Sequence, residues 1–163
     1  MATASLVNAT WTNRATVKTS DETVVECFRI LEGTTIAANE HVMITELPWG
    51  VTIVNCDILV MTTAGAACTA DIGVYPKSAL SGTTLTDTAT GADIDGIWDG
   101  ANTNSAGRNT TGLPGALLGI PIDEAILTVS TDYGEPVLVS LKNLGAATVT
   151  VGMDLRVILT YNI

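Results

Sequence analysis

The chain has 163 residues, 7 Lys+Arg against 17 Asp+Glu and a formal charge of −10, too few cations for a nucleic-acid-binding face. Charged residues make up 15%, hydrophobic residues 47% and aromatics only 4%, a mix too apolar for disorder and too poor in Lys and Glu for a helical bundle. The longest uncharged stretches, Ile58–Ala70 and Asn109–Ile122, fall short of the roughly 18 apolar residues of a membrane helix and carry Thr, Gly or Pro.

Met1–Asn8 has neither a basic n-region nor an apolar h-region, so no secretion signal is expected and folding in a reducing cytoplasm is. Residues 1–14 read as an N-terminal arm, polar and nearly uncharged, with Trp11 and Arg14 near its end. Trp11 either packs on its own domain or anchors the arm to a partner. Residues 15–163 read as a single domain.

The apolar residues recur with period two. A weak strand is predicted near Ala15–Thr19, then strands at Val24–Leu31, Val42–Leu47 and Val51–Met61. In Cys68–Tyr75 the alternation is clean: Cys68, Ala70, Ile72 and Val74 face one way, Thr69, Asp71 and Tyr75 the other. Further strands are predicted at Ile126–Ser130, Val137–Leu144, Ala147–Val151 and Leu155–Tyr161, the last with Arg156 outward. Thr, which occurs 26 times, occupies many of the outward positions, the pattern of half-buried antiparallel strands. Turn formers separate them, among them Pro48-Trp49-Gly50 and Tyr133-Gly134. The fold class expected is all-β, an antiparallel β-sandwich with the jelly roll as its natural closed form. One long Gly/Thr-rich loop excursion, Lys77–Pro121, breaks the rhythm. Within it, Asp93–Gly100 could form at most one helical turn. The excursion also carries Trp98, whose bulk calls for cover from the sandwich edge or from a neighbouring subunit.

Chemistry-bearing motifs are missing. There is no phosphate-cradling loop, dinucleotide fingerprint or nucleophile elbow, so no cofactor and no enzyme is expected. His41, the single His, stands at the head of a strand and reads as solvated. Cys27, Cys56 and Cys68 are three in number with no CxxC spacing, which suits reduced, buried thiols better than a disulfide framework or a zinc site. Asp93, Asp95 and Asp99 gather acid groups in one Gly-rich stretch. They read as a turn with solvated acids, with a bound Ca²⁺ as the weaker alternative because Ile97 stands where a third alternate oxygen ligand would fall.

Two stretches carry a family resemblance. Asp71-Ile72-Gly73-Val74-Tyr75, followed by Asp93-Ile94-Asp95-Gly96-Ile97-Trp98-Asp99-Gly100-Ala101-Asn102 and Ser105-Ala106-Gly107, resembles tailed-bacteriophage virion proteins. There a strand ending in Ile/Leu-Gly-Val leads into an Asp- and Gly-rich loop. The closing hairpin, Val137–Leu144 and Val149–Tyr161, is similar as well. The resemblance spans residues 51–161 and is closest to capsid decoration (cement) proteins. It implies a β-sandwich or jelly roll, a homotrimer, a major capsid protein as partner, and a place on the virion exterior after synthesis in the host cytoplasm. No catalytic residues come with it. Mean hydropathy of +0.38 at low charge independently suggests more apolar surface than one small domain covers. Trp11, Arg14 and Trp98 are the candidate partner contacts. A tail, fibre or neck component, or a carbohydrate- or Ca²⁺-dependent binding module, is the alternative.

Overall fold

The computed structural model describes residues 3–5, 10–11, 15–18, 23–31, 36–63, 68–109, 113–122, 134–144 and 153–163, with backbone alone up to residue 18 and at 30, 31 and 113. Their strands are β1 (Thr3–Ser5), β2 (Thr10–Trp11), β3 (Ala15–Lys18), β4 (Thr23–Leu31), β5 (His41–Leu47), β6 (Thr52–Thr62), β7 (Thr69–Tyr75), β8 (Leu80–Ser81), β9 (Thr84–Thr86), β10 (Asp93–Asn102), β11 (Gly107–Arg108), β12 (Leu113–Pro114), β13 (Val137–Asn143) and β14 (Asp154–Asn162). The predicted strands at Ile126–Ser130 and Ala147–Val151, and Arg14, lie outside the described residues. No helix among the described residues is long and apolar enough to cross a membrane.

Two antiparallel sheets face each other, as the period-two pattern predicts. One has the order β12-β10-β7-β13-β5, the other β11-β6-β14-β4-β2, with β3 also pairing β4. β14 shows why the sequence folds this way. Leu155, Val157, Leu159 and Tyr161 are buried, while Asp154, Arg156, Ile158 and Thr160 alternate with them on the other face. Its neighbours β6 and β4 supply Cys56, Ile58, Val60, Val24 and Phe28 to the same apolar layer, which meets Ile44, Ile72, Val74, Ile97, Val139 and Leu141 of the opposite sheet. Glu26 takes an inward position opposite Leu159 and is buried there. The segment 115–122 closes one flank. Gly115 and Leu117 donate to Ile97 and Gly96 of one sheet, and Gly119 and Ile122 to Ile53 and Val51 beside the other.

The Lys77–Pro121 excursion is more ordered than its composition suggests. It contains a 3₁₀ turn (Lys77–Ala79), β8, β9 and the ten-residue β10, and Asp93–Gly100 is strand rather than helical turn or loop. β8 and β9 form a small third sheet with β1. This flap lies over the outer face of the five-stranded sheet and makes a second apolar cluster of Tyr75, Ala79, Leu85 and Leu138, with Met43, Leu80 and Ile94 against it. Hence the outward residues of β7 and β13 are not wet. All seven residues of β13 are buried, because period two reports only two faces and does not say whether the second is covered.

Candidate functional site

Under that flap sits a cluster of polar side chains. The β5–β13 and β13–β7 registers place His41, Lys142 and Asp71 in one cross-strand row, with Ser140 in the next row opposite Met43 and Gly73. Asp87, just past β9, reaches down onto this face. His41 Nε2 donates to Asp87 Oδ1 at 2.8 Å, Tyr75 OH donates to the same oxygen at 3.3 Å, and Lys142 Nζ donates to Oδ2 at 2.8 Å. Ser140 Oγ lies 3.0 Å from His41 Nδ1, and the His41 and Tyr75 rings meet edge to face.

His41 is fully buried, which corrects the expectation of a solvated strand-end His. Its strand head lies beneath the flap. Burial lowers its pKa, as does Lys142, against the opposing pull of Asp87. The imidazole is therefore neutral, with its proton on Nε2 toward Asp87 and Nδ1 accepting from Ser140. Burial and the Asp87 charge push the Tyr75 hydroxyl up, so it stays a donor.

A Ser, a His and an Asp in hydrogen-bond sequence invite comparison with a hydrolase triad. Here both Ser140 and His41 are 0% exposed, and a substrate carbonyl has no approach to Oγ in this arrangement. Asp87 carries a Lys as well as the His, which makes the group a clamp between flap and sheet. Two of the thiols, Cys56 and Cys68, are equally unsuited to attack. Cys56 is buried and pushed up to about 12, chiefly by that burial, and buried Cys68 is raised for the same reason. None of the three cysteines is in a disulfide.

The acidic stretch lies on β10 as an extended run. Asp93 is half-buried, Asp95 and Asp99 are exposed. Burial raises the Asp93 pKa first, and Asp95, hydrogen-bonded beside it, raises it further. Among the described residues no group of three His, Cys, Asp or Glu side chains is gathered to hold a metal ion. Trp98 is half-buried and packs on this chain's own main core, paired between Ile72 and Pro114. The backbone of Trp11 pairs with Ile30 at the edge of the six-stranded sheet, and Thr3–Ser5 pairs with β9 on the flap.

Asp71 is buried and accepts the Gly100 N–H at 2.8 Å. Burial, with Asp99 and Asp95 nearby, pushes its pKa up to about 6. Its folded pKa exceeds the ordinary 3.8, so the native state holds a proton that the unfolded chain releases, and this contribution fades as pH rises through 6. His41 has the opposite sign: stability is lost as pH falls below its ordinary 6.5. Asp71→Asn, which retains an acceptor for Gly100, is expected to gain about 1–3 kcal/mol at pH 8. It should gain nothing at pH 4 and show a steeper loss on the acid side. Urea unfolding at fixed pH values checks this.

The polar cluster escaped sequence reasoning because its members are spread from residue 41 to residue 142. One signal was present: Leu138 shares a face of β13 with Ser140 and Lys142, and a Leu on a supposedly wet face marks cover.

The chain matches no family model and no curated protein. Among solved structures it is similar to a chain described as "Capsid of Ralstonia phage GP4", with TM-score 0.57 and 18% identity, over 90% of this chain and 88% of that one. That likeness shows the fold. The match extends over nearly the whole of both chains.

Proposed function

We propose that this chain is a structural protein of a bacteriophage virion, a capsid decoration subunit that binds the major capsid protein on the outer surface of the head. The observation that carries this reading is the near full-length likeness to a chain of a phage capsid. The virion-like sequence pattern of β7, β10, β13 and β14 supports it, although β13 and β14 lie in different sheets and do not form the hairpin the sequence suggested; a buried polar cluster that has no access for substrate supports it too. The function is contact area. A homotrimer multiplies weak single contacts by raising the effective concentration of its second and third subunits at the shell, and it stiffens the head by bridging neighbouring capsomers. The arm of residues 1–14, with Trp11 and Arg14, and the half-buried Trp98 are the contact elements put forward here.

The test is stoichiometry. Quantitative mass spectrometry of purified virions from the phage encoding this chain is expected to find on the order of hundreds of copies per particle, as repeated shell sites require. Light scattering of the free protein is expected to give three times the chain mass. About a dozen copies or fewer would place the protein in the tail or neck instead.

A further inference from the structure

The outer face of the six-stranded sheet carries a row that the packing of the described residues does not explain. Arg29 of β4, Arg156 of β14, Leu59 of β6 and Arg108 of β11 stand directly opposite one another across four strands. Two of the arginines have acid partners. Arg29 grips Asp154 through both carboxylate oxygens, at 3.1 and 2.7 Å, and holds its pKa below the usual carboxylate range. Arg108 pairs with Asp57. Arg156 sits between Arg29 and Leu59, and its Nε is shielded from solvent with no hydrogen-bond partner among the described residues. Like charges directly opposite on a sheet repel, and Arg156 is left to share the field of Asp154, whose oxygens Arg29 already holds, so a further anion would relieve the row. Around it Val25, Cys27, Leu59 and Ile158 are half-buried and Met61 is 50% exposed.

We infer that this face is the docking surface for a carboxylate-bearing protein surface on the capsid shell, with Arg156 at its centre. The inference rests on the decoration reading above and adds which face points inward. Charge complementarity identifies the occupant. Three arginines against two aspartates leave the described face at +1, while the chain as a whole is at −10. A second copy fits poorly. Face-to-face pairing would set the arginine rows against each other. The exposed Asp95 and Asp99 belong to the opposite sheet, so pairing them with this row would build an open stack instead of a closed oligomer. An Arg fork with apolar neighbours matches the centre of a protein interface, where its planar donors take a carboxylate through two bonds.

The experiment sediments the full chain with shells assembled from the major capsid protein encoded in the same genome. Arg156→Glu is expected to weaken binding about 30-fold or more, and Arg108→Ala, whose side chain is 65% exposed, several-fold, with the stronger loss at low salt. Glu46→Gln on β5, exposed at the far edge of the opposite sheet from Trp98, is expected to bind as the parent does. Urea unfolding confirms that each variant is folded, and Arg108→Ala carries the test should Arg156→Glu not fold. Folded variants that bind like the parent overturn this face while leaving decoration intact. A parent chain that does not bind shells at all overturns the decoration reading, and this inference with it. An oligomer that Arg156→Glu splits into monomers overturns the inference in favour of a second copy as the occupant.

Discussion

Replacing Asp87 by Ala is expected to cost about 3–5 kcal/mol of folding stability, which for a domain of this size lowers Tm by about 6–20 °C. The reason lies in what the carboxylate leaves behind. Lys142 Nζ, His41 Nε2–H and Tyr75 O–H all donate to it, and all three residues are buried. Its removal strands two polar hydrogens that are fully buried and an ammonium that is nearly so, and each stranded donor carries its own desolvation penalty. The intact cluster need not be a large net stabiliser, since burying an ion pair is itself expensive. The asymmetry supplies a control: Asp87→Ala combined with Lys142→Met removes the stranded charge and is expected to recover about 1–2 kcal/mol of the loss. Because Asp87 ties the flap to both β5 and β13 through these bonds, hydrogen exchange across residues 77–92 should rise in the single variant well before the six-stranded sheet is affected. A loss below about 0.5 kcal/mol would mean the cluster is hydrated or rearranged and is no clamp.

The same cluster marks the boundary of what can be read from the chain. Strands β4, β5, β6, β7, β13 and β14 fall within a residue or two of their predicted bounds, because each carries an alternating apolar face and a turn former at its end. That periodicity is local, and locality is why it is legible. Flap and sheet meet through residues far apart in sequence, so the solvent-facing reading of His41, Asp71 and Tyr75 had nothing local to correct it. β10 was hidden for another reason. Gly96 and Gly100 and the three aspartates carry the composition of a loop, whereas the strand forms because Ile97 and Ala101 enter the core and Trp98 packs on it. Tertiary burial outweighed a poor intrinsic preference. The arginine row could not be seen in advance either. Arg29, Arg108 and Arg156 become neighbours only through the order β11-β6-β14-β4, and strand order is the property that a pattern of alternation leaves open.

Gly73→Ala is expected to destabilise the protein by about 3 kcal/mol or more, at or beyond the upper end of the usual overpacking range. The glycine lies on β7 beneath an irregularity in β10, where the step from Asp93 to Trp98 matches only the step from Val74 to Ile72. The surplus residues arch over the sheet. A methyl group at Gly73 would stand 2.2 Å from the Ile94 carbonyl oxygen and 2.4 Å from that of Asp93. Both obstacles are backbone, so no rotamer change relieves them. The arch would have to lift, drawing Ile94 from the flap cluster and loosening Asp93 beside Asp95. Gly82→Ala is the comparison. That residue has φ of +62° and nothing within 4 Å of the added carbon, so its cost should be the backbone preference alone, about 1–2 kcal/mol. Urea unfolding of the two variants separates the explanations: a close approach predicts the larger loss at Gly73, whereas conformational freedom alone predicts the larger loss at Gly82. Gly73 is the glycine of the Ile-Gly-Val run that resembles virion proteins, and Asp93 opens the acidic segment that crosses it. The two halves of that pattern, twenty residues apart in sequence, are one steric unit in the fold: an arch that needs a strand with no side chain beneath it.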